Sequence, residues 1–244
     1  MVICRTLCLK QKIDMYFKIS NTAKMREIER DVNALFKYPN LYSPQVVISG
    51  LTEVSIPIIT MNEPEVINLA IWGLLPSNFN DDWELFQKLT NTLTLPAHKL
   101  ESDIWYHDSF MNRRCIIPVT GFFTSVLKNG EIYPYHISSK KGEILYLAGI
   151  YTILNDGFIT CSLLTGPLEK EVVNFQNLVD YMPVIIDRDD KHEWFFSDTT
   201  IERAKEILRP PHKTDLEIRP IAKNLFNQGI SYDSMLMPYE YPES

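Results

Sequence analysis

The sequence has 244 residues, 45% hydrophobic and 23% charged, with 24 Lys and Arg against 31 Asp and Glu for a formal net charge of -7. These proportions exclude a largely disordered chain, and no stretch approaches the roughly 18 uninterrupted apolar residues of a membrane span. The acidic balance opposes association with nucleic acid through the overall field, so any such contact must come from a local basic patch.

The opening residues MVICRTLCLKQK alternate apolar and polar side chains, which predicts a strand over residues 1–9 and no signal peptide. Ser20-Asn21-Thr22 offers capping side chains before KMREIERDVNALF, where Met25, Ile28, Val32 and Phe36 share one helical face. Tyr38-Pro39-Asn40 ends that helix. Short strands are predicted at Gln45–Ser49, Ile56–Met61 and Val66–Trp72. Asp81-Asp82 then opens a helix in DDWELFQKLTNTL, with its acids at the positive end of the helix dipole.

From Arg114 to Leu164 the chain is dense in strand signals: RCIIPV, GFFTSVL, IYPYHI, EILYLAGIY and GFITCSLL. Turns separate them at Asn129-Gly130, Lys140-Lys141-Gly142 and Asn155-Asp156-Gly157, residues that tolerate positive φ. Helices are expected near Leu168–Leu178, Asp189–Phe196 and Thr199–Leu208, with strands at Pro183–Asp187 and Leu216–Pro220. The pattern predicts an α+β class: one β-rich domain over residues 1–225, a curled, mainly antiparallel, barrel-like sheet with several inserted helices. Residues 226–244 are expected to form an irregular tail.

Standard site signatures are missing. The five histidines lack metal spacing, no Cys-x-x-Cys pair occurs, and there is neither a glycine-rich phosphate loop nor a Gly-x-Ser-x-Gly elbow. No metal and no cofactor is predicted. Cys4, Cys8, Cys115 and Cys161 are scattered through strand-like runs, as expected of free thiols in a reducing, cytoplasmic setting.

Four segments, taken in order, carry a resemblance. EPEVINLAIWGLLP (residues 63–76) resembles the strand and W-G-L-x-P turn of the SOS-response-associated peptidase (SRAP), or abasic-site-processing, family. AHKLES (97–102) and the following DSF resemble its N-A-R-x-E-T segment, and RRCIIPVTGFFTS (113–125) its R-C-I-x-P-x-x-G-F-Y-E-W stretch. YPYHI, LAGIY and FITCSLLT lead into YMPVII (181–186), similar to its closing R-M-P-V-I-L. The resemblance implies a cysteine after the initiator Met whose amine and thiol trap the aldehyde of an abasic site in single-stranded DNA, helped by an Asn, a Glu and a His.

This sequence departs at each of those positions. The cysteine falls on Val2, the Asn on Ala97 and the Glu on Thr124. The His falls on Gln176 in the longer-loop form of the family and on Val179 in the shorter one. None of these side chains titrates near neutral pH. The paired tryptophans after the W-G-x-x-P turn become Asn78 and Phe79, and the Arg of R-M-P becomes Tyr181.

The resemblance thus implies a catalytically degenerate relative acting as a binding protein, with Lys99, Arg113, Arg114, Phe79 and Tyr181 as DNA-facing candidates. Two alternatives stay open. Cys4, beside Arg5, could act as nucleophile once N-terminal trimming exposes it, or the chain could be a protein-interaction module with no DNA role. Single-stranded or abasic DNA and protein are therefore both candidate partners, and a membrane is not.

Overall fold

A computed structural model describes residues 17–226 and 233–241. Its thirteen strands form two sheets. The smaller has the order β13 (Leu216–Pro220), β9 (Glu131–Ser139), β8 (Gly121–Lys128), β1 (Lys18–Asn21) and β3 (Gln45–Ser49). The larger runs β12 (Tyr181–Pro183), β11 (Ile159–Pro167), β10 (Leu145–Ile153), β7 (Arg114–Val119), β4 (Ser55–Thr60), β5 (Glu63–Trp72) and β2 (Leu35–Phe36), with β6 (Thr94–Pro96) paired to β11. A parallel contact between β11 and β5, at Thr160↔Ile71 and Cys161↔Trp72, brings that sheet partly round on itself. The curled, mainly antiparallel α+β architecture read from the sequence is thus the one observed, as two sheets of which one is ring-like.

Five α-helices are described: α1 (Met25–Val32), α2 (Trp83–Thr90), α3 (Ile104–Asn112), α4 (Lys191–Phe195) and α5 (Ile201–Ile207). The layering follows from alternation along the central strands. Leu145, Leu147 and Tyr151 of β10 face the first sheet, meeting Ile19, Phe122 and Ile137. Tyr146, Ala148 and Ile150 point the other way, into a second core with Ile28 of α1, Phe110 of α3, Trp194 of α4 and Ile207 of α5. A strand covered on both faces needs apolar residues at every position, which is why RCIIPV reads as a continuous run rather than an alternating one.

The outer face of the small sheet carries a third cluster of Val46, Phe123, Ile221 and Leu225, against which Met235 and Leu236 pack. Residues 233–241, expected as an irregular tail, are therefore docked. Tyr239 N–H donates to the Pro220 carbonyl at 2.9 Å, and Tyr241 OH reaches the Pro134 carbonyl at 3.1 Å.

Several boundaries moved. The strand predicted over 1–9 lies outside the described residues. Ser20 and Asn21 sit in β1 rather than capping α1, whose first turn is held instead by Lys24 N–H donating to Glu27 Oε2 at 2.8 Å. The helix expected at Leu168–Leu178 is only a short 3-10 turn at Val173–Phe175. Buried Glu169, engaged at 2.6 Å by His212 Nδ1, fixes that segment to the chain beyond α5. The sequence reading missed β1, β6, α3 and β2, where Phe36 pairs with β5 instead of extending α1, which stops at Asn33 in the left-handed region; α3 is capped by Asp103 accepting from Trp105 N–H at 3.0 Å.

Arg114 opens β7 with a guanidinium that is nearly fully buried. Nε donates to the Trp194 carbonyl at 2.8 Å, Nη1 to those of Phe110 and Met111 at 3.0 Å, and Nη2 to that of Phe196 at 2.8 Å. These carbonyls belong to the ends of α3 and α4, so one cation satisfies groups that helix ends leave unpaired. Arg114→Met is expected to cost about 2–4 kcal/mol in denaturant-induced unfolding, because the carbonyls stay buried without donors. A change below about 0.5 kcal/mol, ordinary for a surface substitution, would mean that the helix ends do not depend on it.

Candidate functional site

Strand β8 points Thr124 to the same face as Phe122, at the rim of the core between the sheets. Its hydroxyl is buried and accepts from Gln176 Nε2 at 2.9 Å, while itself donating weakly to the Phe175 carbonyl at 3.3 Å. Gln176 Oε1 in turn accepts from Leu178 N–H at 2.9 Å. Asn177 pins the same turn to β8, its side chain accepting from Leu127 N–H at 2.8 Å and donating to the Leu127 carbonyl at 3.0 Å. Tyr135, directly opposite Thr124 on β9, closes the group with its ring edge-on to Phe175 at 5.2 Å.

The residues matched to the family's Glu and His therefore touch. That juxtaposition favours Gln176 over Val179, which packs partly buried against the apolar core. Strand β1 runs antiparallel to β8 with Ile19 opposite Phe122, so two residues earlier the register brings Phe17 level with Thr124. The chain enters the sheet beside this pair. Val2 and Cys4 lie outside the described residues.

Ala97 and Tyr181 come together elsewhere. Ala97 follows β6 and Tyr181 opens β12, two strands that flank β11, and both residues line a cleft of about 630 Å³ with His98, Lys205 and Arg209. Thr124 and Gln176 do not line it. Tyr181 is half-buried, and burial, followed by Asp180, raises its phenol above the ordinary value.

The remaining sequence candidates are dispersed. Arg114 is corrected: it is a buried structural cation and presents nothing to phosphate. Arg113 is ion-paired with Asp108 at 2.6 Å, and Lys99 is exposed on the turn after β6. Phe79 packs edge-on against Phe86 at 5.0 Å and lines an acidic cleft with Glu53, Asp81, Asp82 and Asp156. Nearby, Glu101 pairs with Lys205 and Asp103 caps α3.

Chemically, the centre is quiet. A threonine hydroxyl and a glutamine amide hydrogen-bond but do not exchange protons near neutral pH. Cys115 and Cys161 are fully buried, and burial pushes both thiols well above the ordinary cysteine value, so neither supplies a thiolate. Among the described residues no cluster of three His, Cys, Asp or Glu could hold a metal ion.

One buried polar pair escaped the sequence reading. Ser20 Oγ lies 2.7 Å from His136 Nε2, joining residues 116 positions apart, and no motif marks either one. The imidazole's pKa is lowered to about 4, first by burial and then by Arg219. Gly121 seals it in: a Cβ there would fall 2.3 Å from Nε2. This pair is sealed structure rather than an exposed nucleophile with its base.

The SOS response associated peptidase (SRAP) family pattern matches residues 15–228, and the chain belongs to that family. The "Abasic site processing protein YoqW" of Bacillus subtilis is 26% identical over 152 residues, covering 60% of this chain and 65% of that protein. "Abasic site processing protein YMR114C" of Saccharomyces cerevisiae is 23% identical over 152 residues, 60% of this chain and 39% of that one. The chain thus aligns with a little under two thirds of the YoqW sequence. A solved Bacteroides thetaiotaomicron protein superposes with a TM-score of 0.82 at 20% identity, covering 92% of this chain and 100% of that one. A Bordetella bronchiseptica protein reaches 0.69 at 13%, covering 84% and 99%. The family match begins at Met15, so Val2 and Cys4 precede it.

His136 gives a pH prediction. Its folded pKa of about 4 lies below the ordinary 6.5, so between those values the unfolded chain holds more protons and acid favours unfolding. Stability is expected to be full above about pH 6.5 and to decline toward pH 4, by roughly 3 kcal/mol at most from this group. Chemical denaturation across that range should show a shallower decline for His136→Gln; equal slopes would show that the histidine does not stay neutral on folding.

Proposed function

We propose that this chain is a SRAP-fold binding protein that has lost its family's covalent chemistry, with single-stranded DNA as partner of the cleft between Ala97 and Tyr181. The observation that carries this reading is the Gln176–Thr124 hydrogen bond at 2.9 Å, which puts two neutral side chains where the family resemblance implies an acid–base pair. On this reading, the position that the resemblance gives to the terminal cysteine carries no thiol. The residue that the resemblance matches to it is Val2.

Support for DNA comes from two sources. The relatives' names describe abasic site processing, and the Ala97–Tyr181 cleft gathers His98, Lys205 and Arg209 at its wall beside Glu101 and Asp180, with exposed Lys99 on the same turn as Ala97. Arg209 forms no ion pair among the described residues, whereas Lys205 is engaged by Glu101. A patch this small implies weak binding with a correspondingly shallow salt dependence.

Incubation with a single-stranded oligonucleotide carrying one abasic site is expected to give no adduct on a denaturing gel. An undamaged oligonucleotide should give a native shift that fades as salt rises and is weakened by Lys99→Ala with Arg209→Ala. Thr124→Glu combined with Gln176→His should not create an adduct, because no residue would then supply both an amine and a thiol. A covalent band from the unaltered chain that disappears in Cys4→Ala would replace this reading with trimming-dependent catalysis. Silence in both gels would favour the protein-interaction reading, for which the acidic cleft around Phe79 is the specific observation.

A further inference from the structure

A second cleft, of about 690 Å³, opens where the loop before β4, the turn after β5, the start of α2 and the β10–β11 hairpin meet. Ile71, Leu75, Phe79 and Leu154 supply apolar wall, and Phe158 stands at its edge with 62% of its surface exposed. The rim is of one sign. Glu53, Asp81, Asp82 and Asp156 all line the cleft and are exposed, and no lysine, arginine or histidine does so. None of the four carboxylates takes part in an ion pair among the described residues.

Their other engagements leave the charge uncancelled. Asp82 Oδ1 accepts from Leu85 N–H at 2.6 Å as the cap of α2, and Asp156 Oδ1 accepts from Phe158 N–H at 3.1 Å. These are backbone donors that orient the carboxylates without neutralising them. Four like charges held around one concavity focus a negative potential into it, which repels phosphate and attracts cationic groups. The large exposed aromatic at the edge offers a partner an apolar surface to bury.

We propose that this cleft is a docking site for a basic segment of a partner protein, one in which lysines or arginines flank an aromatic or aliphatic anchor. The anchor would pack on Phe158 and the apolar wall, with the cations meeting Glu53, Asp81 and Asp156. The proposal does not rest on DNA binding at the other cleft, since the two share no lining residue.

The test is fluorescence anisotropy with a short fluorescein-labelled peptide that places Lys and Arg around Phe and Leu, against a control with Glu at every basic position. Binding is expected to saturate, to weaken as salt rises and to be absent for the acidic control. Phe158→Ser, and Glu53→Lys with Asp81→Lys, should each weaken it about tenfold or more, the loss typical of removing an interface anchor. All these side chains are exposed, so circular dichroism and melting temperature should match the parent. No binding of the basic peptide, equal binding by the variants, or displacement by a single-stranded oligonucleotide would overturn the proposal. Because Lys99 and Arg209 are untouched, the oligonucleotide shift proposed above should persist in these variants whatever the peptide does.

Discussion

A sheet covered on both faces tolerates no unpaired polar group, because a buried donor or acceptor left without a partner forfeits its hydration with nothing in return. Strands β7 and β10 sit at the centre of such a sheet, between the small sheet and the helical layer. Several polar features of the interior answer to this constraint. Arg114 is acceptable there only because four carbonyls from α3 and α4 receive it, and those helix ends need a donor. Trp72 and Trp194 likewise spend their indole N–H groups on the Leu93 and Cys115 carbonyls. The same constraint silences the thiols of Cys115 and Cys161, where a thiolate would face an apolar surrounding.

The Thr124–Gln176 pair is the point where this logic meets function. A carboxylate and an imidazole at a buried rim would carry desolvation costs that a catalytic site accepts in exchange for proton transfer. Threonine and glutamine fill the same space with one neutral hydrogen bond and a satisfied amide oxygen, and Asn177 then locks the turn to β8 from outside. The substituted positions are therefore not gaps. Thr124 and Gln176 form a packed, mutually bonded pair of side chains that do not titrate near neutral pH.

How much of this was legible in the sequence differs by the range of the interaction. The antiparallel hairpins from β8 to β11 are local, and Asn129 and Gly130, both at positive φ, mark the first of them unmistakably. The family motifs pointed to Thr124 and Ala97 without any structure, while the contact of Gln176 with Thr124 is visible only in the fold. What the sequence withheld were contacts across long separations: Ser20 with His136, Glu169 with His212, and the docking of residues 233–241 on the small sheet. Arg114 misled for the same reason. Beside Arg113 it read as half of a surface patch, yet successive residues at a strand's start point to opposite sides, and only one of the two faces water.

Charge acts locally in the same fold. In the family resemblance, the turn after W-G-L-x-P carries aromatics that would meet bases; here that turn leads through Phe79 into Asp81 and Asp82, and faces Glu53 and Asp156 across a cleft. Screening acts over a Debye length of about 8 Å at physiological salt, so carboxylates lining one concavity reinforce one another while those farther off are muted. A strand of phosphates would have to cross that field to reach the Phe79 side, whereas the Ala97–Tyr181 side has a mixed rim, with His98, Lys205 and Arg209 beside Glu101 and Asp180. An acidic chain can thus carry clefts of different local charge, one mixed and one wholly acidic, because each responds to the few charges at its own rim and not to the net charge of -7.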